Sequence, residues 1–367
     1  MFAENQKLSL PQIQRIFLIE LFGTFSLTMP AIVTRKAEYY GIFPLLIGGG
    51  IGAIYLYFLL CVNKKIGGNY GDYINVQFGK AVQKGIISLY LIRFLIKNGY
   101  TMLLFLTLIQ DRLLERQGKI LMLLPLLILC GFVAYEGVET RGRVLEVLAF
   151  FIFVPLFVTI LLSVPDISIK EWVPKGNISL KTIFHTSIFV FLAYNPIEFV
   201  LFYGGSTSMS DSVKKKGDQM GKAVFRSYGL TFAFHCILFL TTIGLFGVQL
   251  TKNSLFPVFS IMETAKLPAD FISRLDILLI AFWIFCLFGV ISGYSTYGMW
   301  FAKDITKGKK KGILIAIFLL LSGLFTLFAP NIFLTTDWYF QYLLWFDLPI
   351  SIIIPMLLLV RKKRRIE

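Results

Sequence analysis

The sequence predicts an all-α integral membrane protein of about ten transmembrane helices, built as a five-plus-five inverted repeat with discontinuous helices 1 and 6. Three observations carry that prediction. The 367 residues are 56% hydrophobic and only 16% charged, with a mean hydropathy of +0.74, far from the balance of a soluble domain. Apolar runs of about 20 residues, enough to span a hydrocarbon core of about 30 Å, follow one another almost end to end. Basic residues collect in alternate loops between those runs. The short alternating segments of a β-barrel are absent from the sequence.

In order, the runs cover residues 9–32, 42–62, 85–110, 119–136, 143–164, 180–204, 222–247, 271–301, 311–329 and 338–360. The first contains Gln12, Arg15 and Glu20 and is followed by no small-residue cleavage pattern, so it reads as a retained helix and not a signal peptide. In the second, Gly48, Gly49, Gly50 and Gly52 make a flat surface, and the Gly48/Gly52 pair has the GxxxG spacing of close helix packing. Cys61, Cys130, Cys236 and Cys286 lie far apart in or beside apolar runs, as buried small residues do. His185 and His235 lack a second ligand at metal-binding spacing, so no metal is expected. A P-loop, a GxSxG element and a loop carboxylate pair are all missing, which argues against an enzyme and against a cofactor.

The formal charge of +15 could suggest a nucleic acid partner, but its distribution points to membrane topology instead. Lys64, Lys65, Lys80 and Lys84 follow the second run, and Arg141 and Arg143 the fourth. Lys214, Lys215, Lys216 and Lys222 follow the sixth, Lys307, Lys309, Lys310 and Lys311 the eighth, and RKKRR (361–365) ends the chain. The loop holding Thr335, Thr336 and Asp337 has no Lys or Arg. Both termini are therefore expected on the cytoplasmic side, which requires an even number of crossings.

Loops this short leave no room for a soluble domain, so residues 1–367 read as one transmembrane domain, with a first repeat over about 9–164 and a second over about 180–360. Five crossings per repeat invert the second relative to the first and place helices 1 and 6 in equivalent positions. Helix 6 carries FVFLAYNPIEFVLFYGG (189–205), in which Tyr194, Asn195, Pro196 and Glu198 interrupt an apolar run. Pro196 lacks an amide proton, which predicts freed carbonyls near Phe191 and Leu192 with the polar atoms of Tyr194 and Asn195 beside them. Helix 1 carries IELFGTFSLTMP, with Gly23, Thr24 and Ser26 at mid-depth and Pro30 beyond. The alternative is a proline kink that only bends helix 6.

At this point the chain resembles the spore-germination permeases, the GerAB-like membrane subunit of nutrient germinant receptors in the amino acid/polyamine/organocation superfamily. The resemblance rests on GTFSLTMP in helix 1, on NYGDYINVQFGKAVQKGI after helix 2, and on FPVFSIMETAKLPADFISRLDILLIAFWIF (256–285). In the last, Phe256, Pro257, Arg274, Leu275, Asp276 and Trp283 match the family pattern. The resemblance implies the inverted-repeat fold, a small nutrient ligand such as an amino acid, two other receptor subunits as partners, and residence in the spore inner membrane.

Ionisable residues inside a bilayer are functional candidates because each costs about 2.5–3.5 kcal/mol at mid-helix. Glu20, Arg93, Lys97 and Glu198 qualify. Arg93 and Lys97 share one face of helix 3, and Lys97 is expected to meet Glu20 or a ligand carboxylate; snorkelling is the alternative. Glu198 is a gate or a cap for the outgoing half-helix. In helix 8, Ser292, Tyr294, Ser295 and Thr296 form a polar cluster that could face the same cavity or bond back to its own helix. The expected ligand set is Gly23, Thr24, Phe25, Lys97, Thr101, Tyr194, Asn195, Pro196, Tyr294 and Ser295, with Glu20, Arg93 and Glu198 as coupling or gating groups. A proton- or sodium-coupled amino acid transporter is the rival to a nutrient sensor, and a ligand-independent scaffold would leave the polar breaks unexplained.

Overall fold

A bilayer-spanning backbone must satisfy its own N–H and C=O groups, and these apolar runs do so as helices. The computed structural model describes residues 8–66, 68–114, 117–203, 213–264, 275–306 and 310–361. The first half contains α1 (Leu10–Ala37), α2 (Ile42–Ile66), a short connecting helix α3 (Tyr70–Phe78), α4 (Lys80–Arg112), α5 (Lys119–Glu136) and α6 (Val138–Ser163). The second contains α7 (Leu180–Ala193) with a 3₁₀ turn (Asn195–Leu201), then α8 (Val213–Asn253), the short α9 (Pro257–Thr264), α10 (Leu275–Thr306) and α11 (Lys311–Phe328). It closes with α12 (Ile332–Tyr342), which runs through a π turn (Leu343–Asp347) into α13 (Leu348–Val360). Among the described residues nine helical spans are long and apolar enough to cross a membrane, and α7 with its bent 3₁₀ extension makes a tenth.

Local signals set the boundaries. Ser9 and Gln12 form a reciprocal capping box at the start of α1, and Ser179 caps α7. Gly79 (φ 83°) and Gly137 (φ 106°) take the left-handed backbone that separates α3 from α4 and α5 from α6. Gly247, at φ 66°, kinks α8.

The inverted repeat is visible in which helices touch. Exchanging each crossing for the one five places away turns the α1–α8 contact into α7–α2, α5–α10 into α11–α4, and α6–α10 into α12–α4. All of these contacts occur, and α2–α8, α4–α10 and α5–α11 are their own images. Helices α1, α4 and α10 are the most deeply buried, whereas α5, α6 and α11 turn apolar faces such as Ile128, Phe150 and Leu320 outward.

One expectation fails in part. Helix 6 is broken, with a bend of 42° between α7 and the 3₁₀ turn, but α1 runs from Leu10 to Ala37 as one helix through Gly23 and Thr24. Glycine there serves packing: a Cβ on Gly23 would lie 2.6 Å from Val290 Cγ2 and 3.0 Å from the Cys286 carbonyl, so α1 and α10 approach at backbone distance. Gly48 plays the same part in α2 against Val190 of α7. Arg274 of the matched motif, Gly205, Lys307, Lys309 and the tail beyond Arg361 lie outside the described residues.

Candidate functional site

The site is built around the break in the sixth crossing. Pro196 occupies the first turn of the 3₁₀ segment, where its missing N–H leaves no partner unsatisfied. The carbonyl of Phe191, expected free, accepts the Tyr194 amide at 3.0 Å, so the turn tightens. Leu192, Ala193, Asn195 and Pro196 from this break face Thr24, Phe25 and Thr28 of α1 across a small cavity. Tyr100 of α4, Tyr294 of α10, and Tyr339, Phe340 and Leu343 of the last crossing complete the lining. Its volume is about 30 Å³, so the site is narrow.

A wider cavity of about 280 Å³ adjoins it, lined by Arg35, Lys36 and Asp337. Thr28 and Phe340 line both spaces. Phe340 packs on Phe189 at a centroid distance of 4.9 Å, and beside it Tyr100 and Tyr339 stack at 3.8 Å with planes 10° apart. An aromatic partition therefore separates the narrow site from its vestibule.

Behind the cavity lies a buried quartet of charges. Lys97 Nζ donates to Asn195 Oδ1 at 2.8 Å and Glu198 Oε1 at 2.7 Å, and lies 3.0 Å from Asp347 Oδ1. Arg93 donates from Nε to Asp347 Oδ1 and from Nη2 to Glu198 Oε2, both at 2.7 Å. Two cations meet two carboxylates, so the formal charge cancels where desolvation is costly. Asn195 also donates to Asp347 Oδ2 at 3.3 Å, which makes its amide the link between quartet and cavity.

This arrangement corrects three expectations. Lys97 does not meet Glu20; its three donors are engaged by Asn195, Glu198 and Asp347. Glu198 makes no capping bond and turns to the two cations instead. Arg141, read as a loop cation, is fully buried in the first turn of α6 and is the partner of Glu20 at 2.6 Å.

Tyrosines complete that second cluster. Tyr297 donates to Glu20 Oε1 and Tyr203 to Oε2, each at 2.7 Å, while Arg141 reaches Tyr297 Oη at 3.0 Å and the Gly289 carbonyl at 2.9 Å. Aromatic rings join it to the cavity. Tyr294 packs on Phe199 at 5.2 Å, and Phe199 on Tyr297 at 4.4 Å.

Of the expected ligand set, Thr24, Phe25, Asn195, Pro196 and Tyr294 line the cavity. Gly23, Lys97, Thr101, Tyr194 and Ser295 stand behind it. The Thr101 and Ser295 hydroxyls bond back to Lys97 O and Ile291 O, and Ser292 and Thr296 bond to carbonyls of their own helix too. Tyr194 turns away, its hydroxyl 2.7 Å from His235 Nδ1, while His235 Nε2 lies 3.0 Å from Ser26 Oγ. That chain ties the break to α1. Sequence reasoning missed Thr28, although it sits one turn beyond Thr24, and also Asp347, Tyr100, Tyr339, Phe340 and Leu343.

Among the described residues no group of His, Cys, Asp and Glu is placed to hold a metal ion. No curated protein matches the chain. Among solved structures, a nucleobase-cation-symport-1 family transporter, closed with bromovinylhydantoin bound, superposes with a TM-score of 0.64 at 13% identity, covering 90% of this chain and 74% of its own. A Na+-coupled sialic acid symporter in a substrate-bound outward-open state gives 0.58 at 10% identity, covering 96% and 76%. The fold is thus that of secondary transporters. Residues 7–331 match the family described as spore germination protein, and the chain belongs to that family.

Proposed function

We propose that this protein is the nutrient-sensing membrane subunit of a spore germinant receptor, binding a small zwitterion of the amino acid class at mid-membrane between α1 and the broken sixth crossing. The observation that carries this reading is the chemistry of the cavity wall. Thr24, Thr28, Asn195 and Tyr294 offer hydroxyl and amide groups among aromatic surfaces, while the full charges nearby are paired with one another. Such a wall suits a ligand without net charge. A narrow cavity that widens around the ligand would favour a different conformation on binding, and that shift is what two further receptor subunits would read. Cytoplasmic termini and residence in the spore inner membrane belong to the same reading.

Spores carrying Asn195→Leu should retain the protein in the membrane and lose their response to nutrients. An unchanged dose dependence would remove Asn195 from the site. The fold shared with two symporters favours a second reading, ion-coupled amino acid transport. Proteoliposomes containing the purified chain separate the two: sensing predicts binding without uptake, and concentrative uptake driven by a proton or sodium gradient supports the transporter.

A further inference from the structure

Between α5 and α11 lies an apolar groove of about 620 Å³ that shares no lining residue with the ligand cavity. Its floor is formed by buried Ile315 and Leu319, and its walls by Ile128, Phe132 and Leu320, each more than half exposed. At Gly131 the two helices come close, since a Cβ there would lie 3.2 Å from Leu319 Cδ1. The groove therefore runs along a tight seam open to the membrane.

One end of the groove reaches Tyr135, Glu136 and Gly312, where α5 stops and α11 starts. This end is basic. Lys310 precedes α11 and Lys311 begins it, against Glu136 as the acid in the lining. Lys311 donates to the Tyr135 carbonyl and its ammonium lies 4.5 Å over the Tyr135 ring, which fixes a cation at the mouth.

The length of the groove limits what it can hold. Its lining extends from Leu124 to Glu136 on α5 and from Gly312 to Leu320 on α11. At 1.5 Å rise per residue these stretches measure about 18 Å and about 12 Å. One leaflet of hydrocarbon is about 15 Å deep, half of the full core. A transmembrane helix of a partner would need a seam twice as long, whereas an acyl chain from one leaflet ends where this groove ends.

We propose that the α5–α11 groove is a binding site for one anionic phospholipid, whose acyl chain lies along Leu319 and Phe132 and whose headgroup phosphate meets Lys310 and Lys311. Apolar packing alone selects no lipid, because every lipid tail is as apolar as the groove. Selection comes from the lysines. The proposal does not rest on the germinant reading, since the groove is separate from the cavity that carries it.

The test uses the full-length chain purified in neutral detergent, titrated with phosphatidylglycerol or phosphatidylcholine and read by native mass spectrometry. One phosphatidylglycerol should be retained in preference to phosphatidylcholine. Lys310→Asn suits the left-handed backbone at that position (φ 60°) and should weaken phosphatidylglycerol binding about fivefold, the contribution of one basic residue at an anionic surface. Ala316→Phe fills the groove from its membrane-facing side and should abolish retention of either lipid. Equal retention of the two lipids, or undiminished retention in Ala316→Phe, would overturn the site. Loss of a second copy of the chain from the Ala316→Phe spectrum, with lipid retention unchanged, would overturn it too and reassign the groove to a protein interface. Should Ala316→Phe fail to fold, Lys310→Asn at its exposed position decides alone, and unaltered phosphatidylglycerol affinity there rejects the proposal.

Discussion

Two buried charge clusters stand in the same interior and are built differently. The Glu20–Arg141 pair joins α1 to α6 and is wrapped by hydroxyls: Tyr203 and Tyr297 occupy the carboxylate, and Tyr297 and Gly289 O occupy the guanidinium. The quartet of Arg93, Lys97, Glu198 and Asp347 joins α4 to the helix break and to the last crossing, and its polar network continues through Asn195 into the cavity wall. One cluster is closed on itself, and the other has a group that a ligand can reach. A charge pair buried for stability needs only satisfied partners, whereas one that reports on a ligand needs a partner held in common with it.

The largest effect should come from unbalancing the quartet. Arg93→Met leaves two carboxylates facing one ammonium in a buried site, and should cost about 3–5 kcal/mol, read as a lowered thermal midpoint of the purified protein. Adding Asp347→Asn restores neutrality, so the double variant should be more stable than the sum of the single losses predicts. Strict additivity would mean that the four charges do not act as a unit.

A smaller effect separates the clusters from each other. Glu20→Gln removes the counter-charge of Arg141, and Lys97→Met removes one cation from the quartet; each should destabilise the protein. Because these residues share no partner, their losses should add to within about 0.5 kcal/mol. A coupling well above that value would show that the two clusters communicate and would erase the contrast drawn here.

The smallest expected change lies in the neutral chain behind the break. Tyr194→Phe deletes the hydroxyl that bonds His235 and should lower stability by about 1 kcal/mol, the usual net value of one hydrogen bond. Tyr194 is fully buried and points away from the cavity, so the nutrient dose dependence should stay put. A shifted dose dependence with unchanged stability would return Tyr194 to the ligand site.

Much of the architecture was legible before any coordinates. Crossings are long and apolar, and Asn195-Pro196 announces the break, because backbone satisfaction acts on local sequence. Side-chain pairing was less legible because it joins residues distant in the chain. Arg141 sits at the start of an apolar run beside Arg143 and resembles a loop cation, yet only the fold brings Glu20 to it. Asp347 lies in the last apolar run and escaped attention although it obeys the same rule that singled out Glu198. Gly23 and Thr24 suggested a second break, but glycine here lets α10 approach, a purpose that sequence does not distinguish from unwinding.

The π turn at Leu343–Asp347 has a consequence for how this chain can change over generations. A residue added to or removed from a helix turns everything beyond it by about 100° and slides it by about 1.5 Å. Upstream of the turn, Tyr339 and Phe340 face the cavity, and at its end Asp347 faces Arg93 and Lys97. Insertions and deletions in the loops disturb neither face, but a single one between Leu343 and Asp347 would rotate the carboxylate out of the quartet while the cavity stayed intact. Descendants of this sequence should therefore tolerate loops of varied length and hold the residue count of this short interval constant, with the widened turn inherited as a unit.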